Sequence, residues 1–350
     1  MTIPEKLGEW YENAKRDLPW RSTSDPYKIW LSEIILQQTR VAQGTEYYHR
    51  FLKKFPDIFS LASAQTEDVL KIWQGLGYYS RARNLHETAR FIVSERNGVF
   101  PLTYTDLIKL KGIGEYTAAA ISSIAYNEPR AAVDGNVKRV ICRLFAVEQE
   151  ISSPIGKKII STLAQEILDL QFPGRHNQAM MELGAGICLP RNPDCINCPL
   201  NMICLALKEN KVSEVPVKYN KTKVLNRYFT YLIIRNKNSL RIQQRSAKDI
   251  WNGLYEFPLI ETPNEPDSKI LLPKIASFLQ SKNNTYQISH ISESIIHKLS
   301  HRNIICRFVH ILVSDEEFYL SLPGISITLS ELDSYPIPRL IDRYLQLNVL

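Results

Sequence analysis

Residues 1–210 carry apolar positions at helical spacing, and no sustained alternation of apolar and polar residues interrupts them. Ser24-Asp25-Pro26 offers a cap followed by proline at a first turn, and IWLSEIILQQT continues from it with helical periodicity. Thr66-Glu67-Asp68 predicts another start, and Thr103 to Leu110 a further helix. Gly112-Ile113-Gly114 breaks the chain ahead of EYTAAAISSIAY, an alanine-rich helix. Asp134 is placed to cap NVKRVICRLF, and Pro154 and Pro173 stand near two more starts. This part reads as an all-α domain. The polar, lysine-rich stretch 208–227 then reads as a linker, with residues 211–226 joining the two parts. Beyond it the pattern shifts to short β-rich runs: YFTYLIIR, SLRIQQR, LYEFPLI, TYQISH and NIICRFVHILV. KILLPKIASFLQ and the residues from Ile337 look helical, so 227–350 is expected to be an α+β domain.

Composition adds exclusions. A chain of 350 residues suits two domains, and 44% hydrophobic with 23% charged residues supports packed cores rather than disorder. No apolar run approaches the roughly 20 residues that span a bilayer. The opening MTIPEKLGEWYENAKRDLPW lacks the apolar centre of a secretory signal. A protein without membrane association is expected, monomeric and cytoplasmic (nucleoid-associated if bacterial). The net charge is +7, of which +5 falls within residues 1–225. That balance is compatible with a polyanionic partner without establishing one.

Of six cysteines, Cys188, Cys195, Cys198 and Cys204 fall in one seventeen-residue stretch, spaced C-x6-C-x2-C-x5-C. One tight group in a chain without a secretory signal points to a metal centre rather than disulfides. Structural zinc and an iron–sulfur cluster both take four thiolates, and composition does not separate them. Either would staple a Pro- and Asn-rich loop that has little apolar material to fold itself. Cys142 and Cys306 stand alone and read as buried thiols. Leu110-Lys111-Gly112-Ile113-Gly114 joins two expected helices; its glycines would let backbone N–H groups approach an anion at a helix N-terminus.

In combination these features resemble the endonuclease III superfamily of DNA glycosylases. They are a hairpin with a Gly-Ile-Gly turn, an aspartate twenty residues later (Asp134), and the four-cysteine loop 188–204 closing the domain. The resemblance implies a helix-hairpin-helix glycosylase domain over residues 1–210. It also implies one [4Fe-4S] cluster on Cys188, Cys195, Cys198 and Cys204, with DNA phosphates at Gly112 and Gly114. Bifunctional members of the superfamily attack the sugar with a lysine in the second hairpin helix; Tyr116 stands at that position here. Ser32-Glu33-Ile34-Ile35-Leu36-Gln37-Gln38-Thr39 is instead similar to the E-x-x-L-Q-Q-T motif of the adenine DNA glycosylases. Leu18-Pro19-Trp20-Arg21, Gly75 through Arg83 and Val133-Asp134-Gly135-Asn136 are also similar to that family.

That family implies hydrolysis of the glycosidic bond of adenine mispaired with 8-oxoguanine or guanine in double-stranded DNA, a monofunctional step of base-excision repair. Glu33 would donate a proton to the base, and Asp134 would stabilise the oxocarbenium-like sugar. Tyr116 and Asn136 would position water and that carboxylate. By the same resemblance Tyr78 wedges into the duplex, Gln38 fills the space near the flipped adenine, Thr39 and Leu76 line the opposite base, and Trp20 and Arg21 border the adenine pocket. Trp251-Asn252-Gly253-Leu254-Tyr255-Glu256-Phe257-Pro258 resembles a strand of Nudix-like domains. The clustered carboxylates of an active Nudix hydrolase are missing after Pro258, so the fold is expected without that hydrolysis. Leu299-Ser300-His301 is similar to the lesion-reading Phe-Ser-His element of the family, with Leu in place of Phe. Two rival readings are a lyase like endonuclease III, which Tyr116 opposes, and a non-catalytic iron–sulfur DNA sensor, which the Glu33/Asp134 pair opposes.

Overall fold

The computed structural model describes residues 1–217, 224–280 and 286–347. These fall into two compact units. One comprises residues 1–63 and 84–217; the other comprises residues 64–83 with the chain from 224 onward. The segment 64–83, helical as its periodicity predicts, groups by its contacts with the C-terminal unit.

The helices of residues 1–217 are α1 (Ile3–Ala14), α2 (Pro26–Leu36), α3 (Val41–Lys54), α4 (Ile58–Ser63), α5 (Thr66–Trp73), α6 (Ser80–Arg96), α7 (Tyr104–Leu107), α8 (Glu115–Tyr126), α9 (Gly135–Leu144), α10 (Pro154–Glu166), α11 (Pro173–Gly186) and α12 (Leu205–Lys208). Local chemistry sets several of their starts. Asp25 caps α2 through the Tyr27 N–H with Pro26 at the first turn, Thr103 caps α7, Ser153 caps α10, and Asp134 caps α9. Helix α2 is buried on nearly every face, Tyr27 and Ile29–Ile35 included, so any charge on it must be tolerated in an apolar setting. It packs against the alanine-rich α8, whose small side chains permit close approach. Helices α9 and α11 share a core of Val137, Val140, Ile141, Met180 and Leu183, against which Cys188, Cys198 and Cys204 also pack.

The expected linker is shorter than the composition suggested. Arg143 on α9 donates to the carbonyls of Val212 and Val215, which ties that end of the stretch to the helical unit. Residues 225 and 226 already lie in a strand, and residues 218–223 lie outside the described residues.

The C-terminal part contributes β1 (Leu225–Asn236), β2 (Ser239–Gln244), β3 (Tyr255–Glu256), β4 (Leu259–Thr262), α13 (Ser268–Leu279), β5 (Tyr286–Ile291), β6 (Ile295–Lys298), β7 (Arg302–Val313), α14 (Glu316–Ser321), β8 (Ile325–Thr328) and α15 (Arg339–Leu347). The sheet runs β3-β2-β1-β7-β5, with β4 on β1, β6 on β7 and β8 on β2. The β1–β7 pair is parallel and the others antiparallel, so this is a mixed sheet, as the α+β expectation requires. Leu232, Ile234, Val309 and Ile311 pack under α13 through Leu271 and Ile275. Among the described residues no helix is long and apolar enough to cross a membrane.

Candidate active site

The helical unit contains a cavity of about 570 Å³. Its wall gathers Trp20, Arg21, Glu33, Gln38, Thr39, Tyr116, Asp134 and Asn136, residues spread over more than a hundred positions of sequence. Both candidate carboxylates therefore open into one space. Glu33 sits midway along the buried α2 and is only 8% exposed. Burial pushes its carboxyl up from an ordinary 4.5 to about 7, the neighbouring Asp134 charge adds to this, and a hydrogen bond with Tyr116 opposes it. Near neutrality Glu33 is thus half protonated, the state a proton donor needs. The Tyr116 hydroxyl is itself held neutral by burial and by the two carboxylates, and its oxygen lies 3.1 Å from Met181 Sδ.

Asp134 is surrounded differently. Its Oδ1 accepts the Val137 N–H at 2.7 Å as the α9 cap, and its Oδ2 accepts Asn136 Nδ2 at 3.1 Å. Burial holds its pKa above the ordinary carboxylate value on balance, while these donors and the Arg139 charge offset part of that rise in favour of the anion. Arg139 fixes the arrangement: it donates to Asn136 Oδ1 at 3.0 Å, to the Gly184 carbonyl at 2.7 Å and to the Cys188 carbonyl at 2.7 Å. Two acids in one cavity thus differ in how many donors meet the ionised form.

A third carboxylate on this wall was not anticipated. Glu182 on α11 receives Arg16 Nε at 2.6 Å and Nη2 at 2.9 Å, and a further bond from Arg21 Nη2. Burial alone would raise its pKa, but the hydrogen bonds from the two arginines outweigh it and the net shift is downward. Arg21 therefore faces the cavity while paired with Glu182, 161 residues on, a link that no local motif announces. Lys138, one turn into α9, is the only lysine among the described residues lining the cavity. Lys111, by contrast, bonds both oxygens of Glu87 on the surface.

In the hairpin between α7 and α8, Gly112 has φ +77°, and a Cβ there would come 2.7 Å from that of Asn84, so both conformation and space demand glycine. Gly114 caps α8 with open space where a side chain would stand. Gln38 (φ 58°) also occupies the left-handed region, a conformation that non-glycine residues hold only where their surroundings enforce it, often at functional sites.

Leu76, Tyr78, Ser300 and His301 belong to the other unit. Leu76 is buried, whereas Tyr78 is exposed, has φ 47°, and stands beside the Arg81 guanidinium. Ser300 and His301 are exposed in the turn between β6 and β7, which closes through Leu299 N–H to the Arg302 carbonyl at 2.8 Å. The hydroxyls of Tyr78 and Ser300 are hydrogen-bonded to each other.

Cys188, Cys195, Cys198 and Cys204 line one small cavity together with Arg143, whose Nη1 lies 3.4 Å from Cys188 Sγ. None of the four is paired in a disulfide. Among the described residues no three His, Cys, Asp or Glu side chains converge tightly enough to hold a single metal ion. Cys142 and Cys306 are buried, as expected.

Comparison with known proteins agrees with this architecture. Residues 31–168 match the family described as HhH-GPD superfamily base excision DNA repair protein, and residues 230–347 match the NUDIX domain family. Among solved structures, a thermostable thymine-DNA glycosylase aligns with a TM-score of 0.55 at 28% identity, over 59% of this chain and 95% of its own. An endonuclease III–DNA complex aligns over 59% of this chain and 94% of its own at 0.51 and 21% identity, which speaks to the fold alone. Fold and cavity together define a helix-hairpin-helix base-excision DNA glycosylase joined to a Nudix-like unit. Over 307 residues the chain is 35% identical to the adenine DNA glycosylase of Buchnera aphidicola subsp. Baizongia pistaciae, covering 87% of this chain and 84% of that protein. It is 45% identical over 209 residues to the human adenine DNA glycosylase, covering 57% of this chain and 38% of that one. The chain belongs to the adenine DNA glycosylase family.

Proposed function

We propose that this glycosylase removes adenine paired with 8-oxoguanine or guanine in double-stranded DNA, and that it does so as a monofunctional hydrolase. The observation that carries the reading is the convergence of Glu33 and Asp134 on one cavity with unequal support for their anions. Adenine leaves poorly as an anion, so the acid form of Glu33 protonates the flipped base, at N7 in the family mechanism. The departing base leaves positive charge on the sugar, which the Asp134 carboxylate faces. Extruding the nucleotide costs a few kcal/mol, least at a mispair. Water completes the hydrolysis, with Tyr116 and Asn136 holding the two acids in register. Trp20, Arg21 and Gln38 bound the base, and Gly112 and Gly114 present N–H groups to a phosphate. Tyr78 wedges the stack, with Thr39, Leu76, Ser300 and His301 meeting the opposite base.

The four cysteines suit a [4Fe-4S] cluster. All four line one small cavity and so offer the four thiolates such a cluster takes, at the spacing that resembles the superfamily's cluster loop. When bound, the cluster would supply a structural staple for the loop, with Cys188, Cys195, Cys198 and Cys204 as its ligands. The chemistry at adenine runs through the chain's own carboxylates.

The product distinguishes the readings. On a duplex holding A:8-oxoguanine, free adenine is expected before any alkali, with strand scission only after alkali. Scission without alkali, or a borohydride-trapped adduct lost in Lys138→Gln, would overturn the monofunctional assignment in favour of an imine on the cavity lysine.

The pH profile gives a second test. Glu33 must be protonated to act, and its acid form is lost as pH rises through about 7. Single-turnover rates are expected to fall about tenfold per pH unit above that value. A rate flat from about pH 6 to 9 would remove Glu33 from the donor role.

A further inference from the structure

The second unit carries two side chains that the proposed function brings to one base pair: Tyr78, after α5, and Ser300, at the β6–β7 turn. Besides the direct bond between their hydroxyls, a second connection runs behind them. Arg83, five residues after Tyr78, donates from Nη1 to the Asn252 carbonyl at 2.6 Å. The preceding residue, Trp251, sets its ring against that of His297, with centroids 5.8 Å apart. His297 lies in β6, pairs with Ile304 of β7, and stands three residues before Ser300.

The loop between these contacts has little freedom. Arg245 donates to the Ile250 carbonyl at 2.9 Å and to both oxygens of Asp249, and Arg227 grips the same carboxylate at 2.6 Å. The Gly253 N–H returns to the Arg245 carbonyl at 2.8 Å. Trp251 itself is held at φ +61°, a backbone state that bulky residues keep only where neighbours enforce it. The connection from Arg83 to the hairpin therefore passes through a braced element.

We infer that Arg83 and Trp251 are positioning residues for lesion discrimination: the braced loop fixes the spacing between the wedge at Tyr78 and the hairpin that presents Ser300. This rests on Ser300 being the lesion contact. Small displacements of a recognition group cost disproportionately when its hydrogen bonds are directional. The lesion-specific part of the rate should suffer, and the rate on plain mispairs should not.

The test uses the full chain and single-turnover base release on A:8-oxoguanine and A:G duplexes. Arg83→Gln and Trp251→Leu are each expected to lower the lesion rate about tenfold and to leave the A:G rate within about twofold. Arg83→Lys, which keeps a donor for the Asn252 carbonyl, is expected to recover most of the loss. Ser300→Ala should lose preference similarly, and adding Trp251→Leu to it should cost little more, because both act through one contact. Equal losses on both duplexes in Arg83→Gln, or unchanged preference there while Ser300→Ala loses it, would overturn the spacer. Unchanged preference in Ser300→Ala would remove the lesion contact itself and the spacer with it. Should Trp251→Leu melt early, the two Arg83 variants decide.

Discussion

Glu33→Gln is expected to slow adenine release by about 10²–10⁴-fold while leaving affinity for the mispaired duplex close to that of the parent chain. The amide fills the same space on α2 but has no proton to give to a leaving base. The same substitution makes a prediction about stability. Because burial lifts the Glu33 pKa from 4.5 to about 7, the folded chain binds more protons than the unfolded chain between those values. Its stability therefore falls as pH rises through that window, by about 3 kcal/mol for this one group. Glutamine has no such dependence. The variant should gain in melting temperature relative to the parent between about pH 5 and 8, even as it loses catalysis. Parent-like base release would end the donor assignment, and a melting difference independent of pH would show that the pocket does not desolvate the carboxyl.

Asp134→Asn is expected to cost about 10²–10³-fold in single-turnover rate, the scale of losing one preorganised electrostatic group. Asparagine is as good an N-cap as aspartate, so α9 should still start correctly through the Val137 N–H. The amide nitrogen would meet the Asn136 Nδ2 donor, however, and Asn136 is already committed to Arg139 through its oxygen. A local donor–donor conflict adds to the lost charge. Circular dichroism and duplex binding should be nearly unchanged. Base release at the parent rate would detach Asp134 from the chemistry and leave it as a helix cap.

Much of this site was legible in the chain because its parts are local signals. The caps at Asp25, Thr103, Ser153 and Asp134 are short-range hydrogen bonds that a few residues specify. The Gly112–Gly114 turn is a conformational requirement written into residue type. The long strands β1 and β7 came from dense β-branched and aromatic runs, whereas the four-residue β6 and β8 escaped notice because pairing partners, not propensity, make them strands. Glu182 was invisible for the same reason. Its partners Arg16 and Arg21 lie more than 160 positions away, and only folding shows that the three share a wall. Residues 64–83 show helical periodicity, and the glycosylase family match over residues 31–168 spans them. Their contacts with the C-terminal chain run through hydrogen bonds such as Lys71 to the Tyr335 carbonyl and the Ile337 N–H to Gln74, which no window of sequence contains.

Those bonds bear on how the protein can be cut. A chain ended after Cys204 would keep every residue that lines the cavity of the helical unit, yet it would remove the groups with which Lys71, Gln74, Tyr78 and Arg83 bond beyond it. Such a fragment is not the parent minus one module. It is a glycosylase core that has also lost bonds made by residues 71–83, so any defect it displays has two origins that deletion alone does not separate.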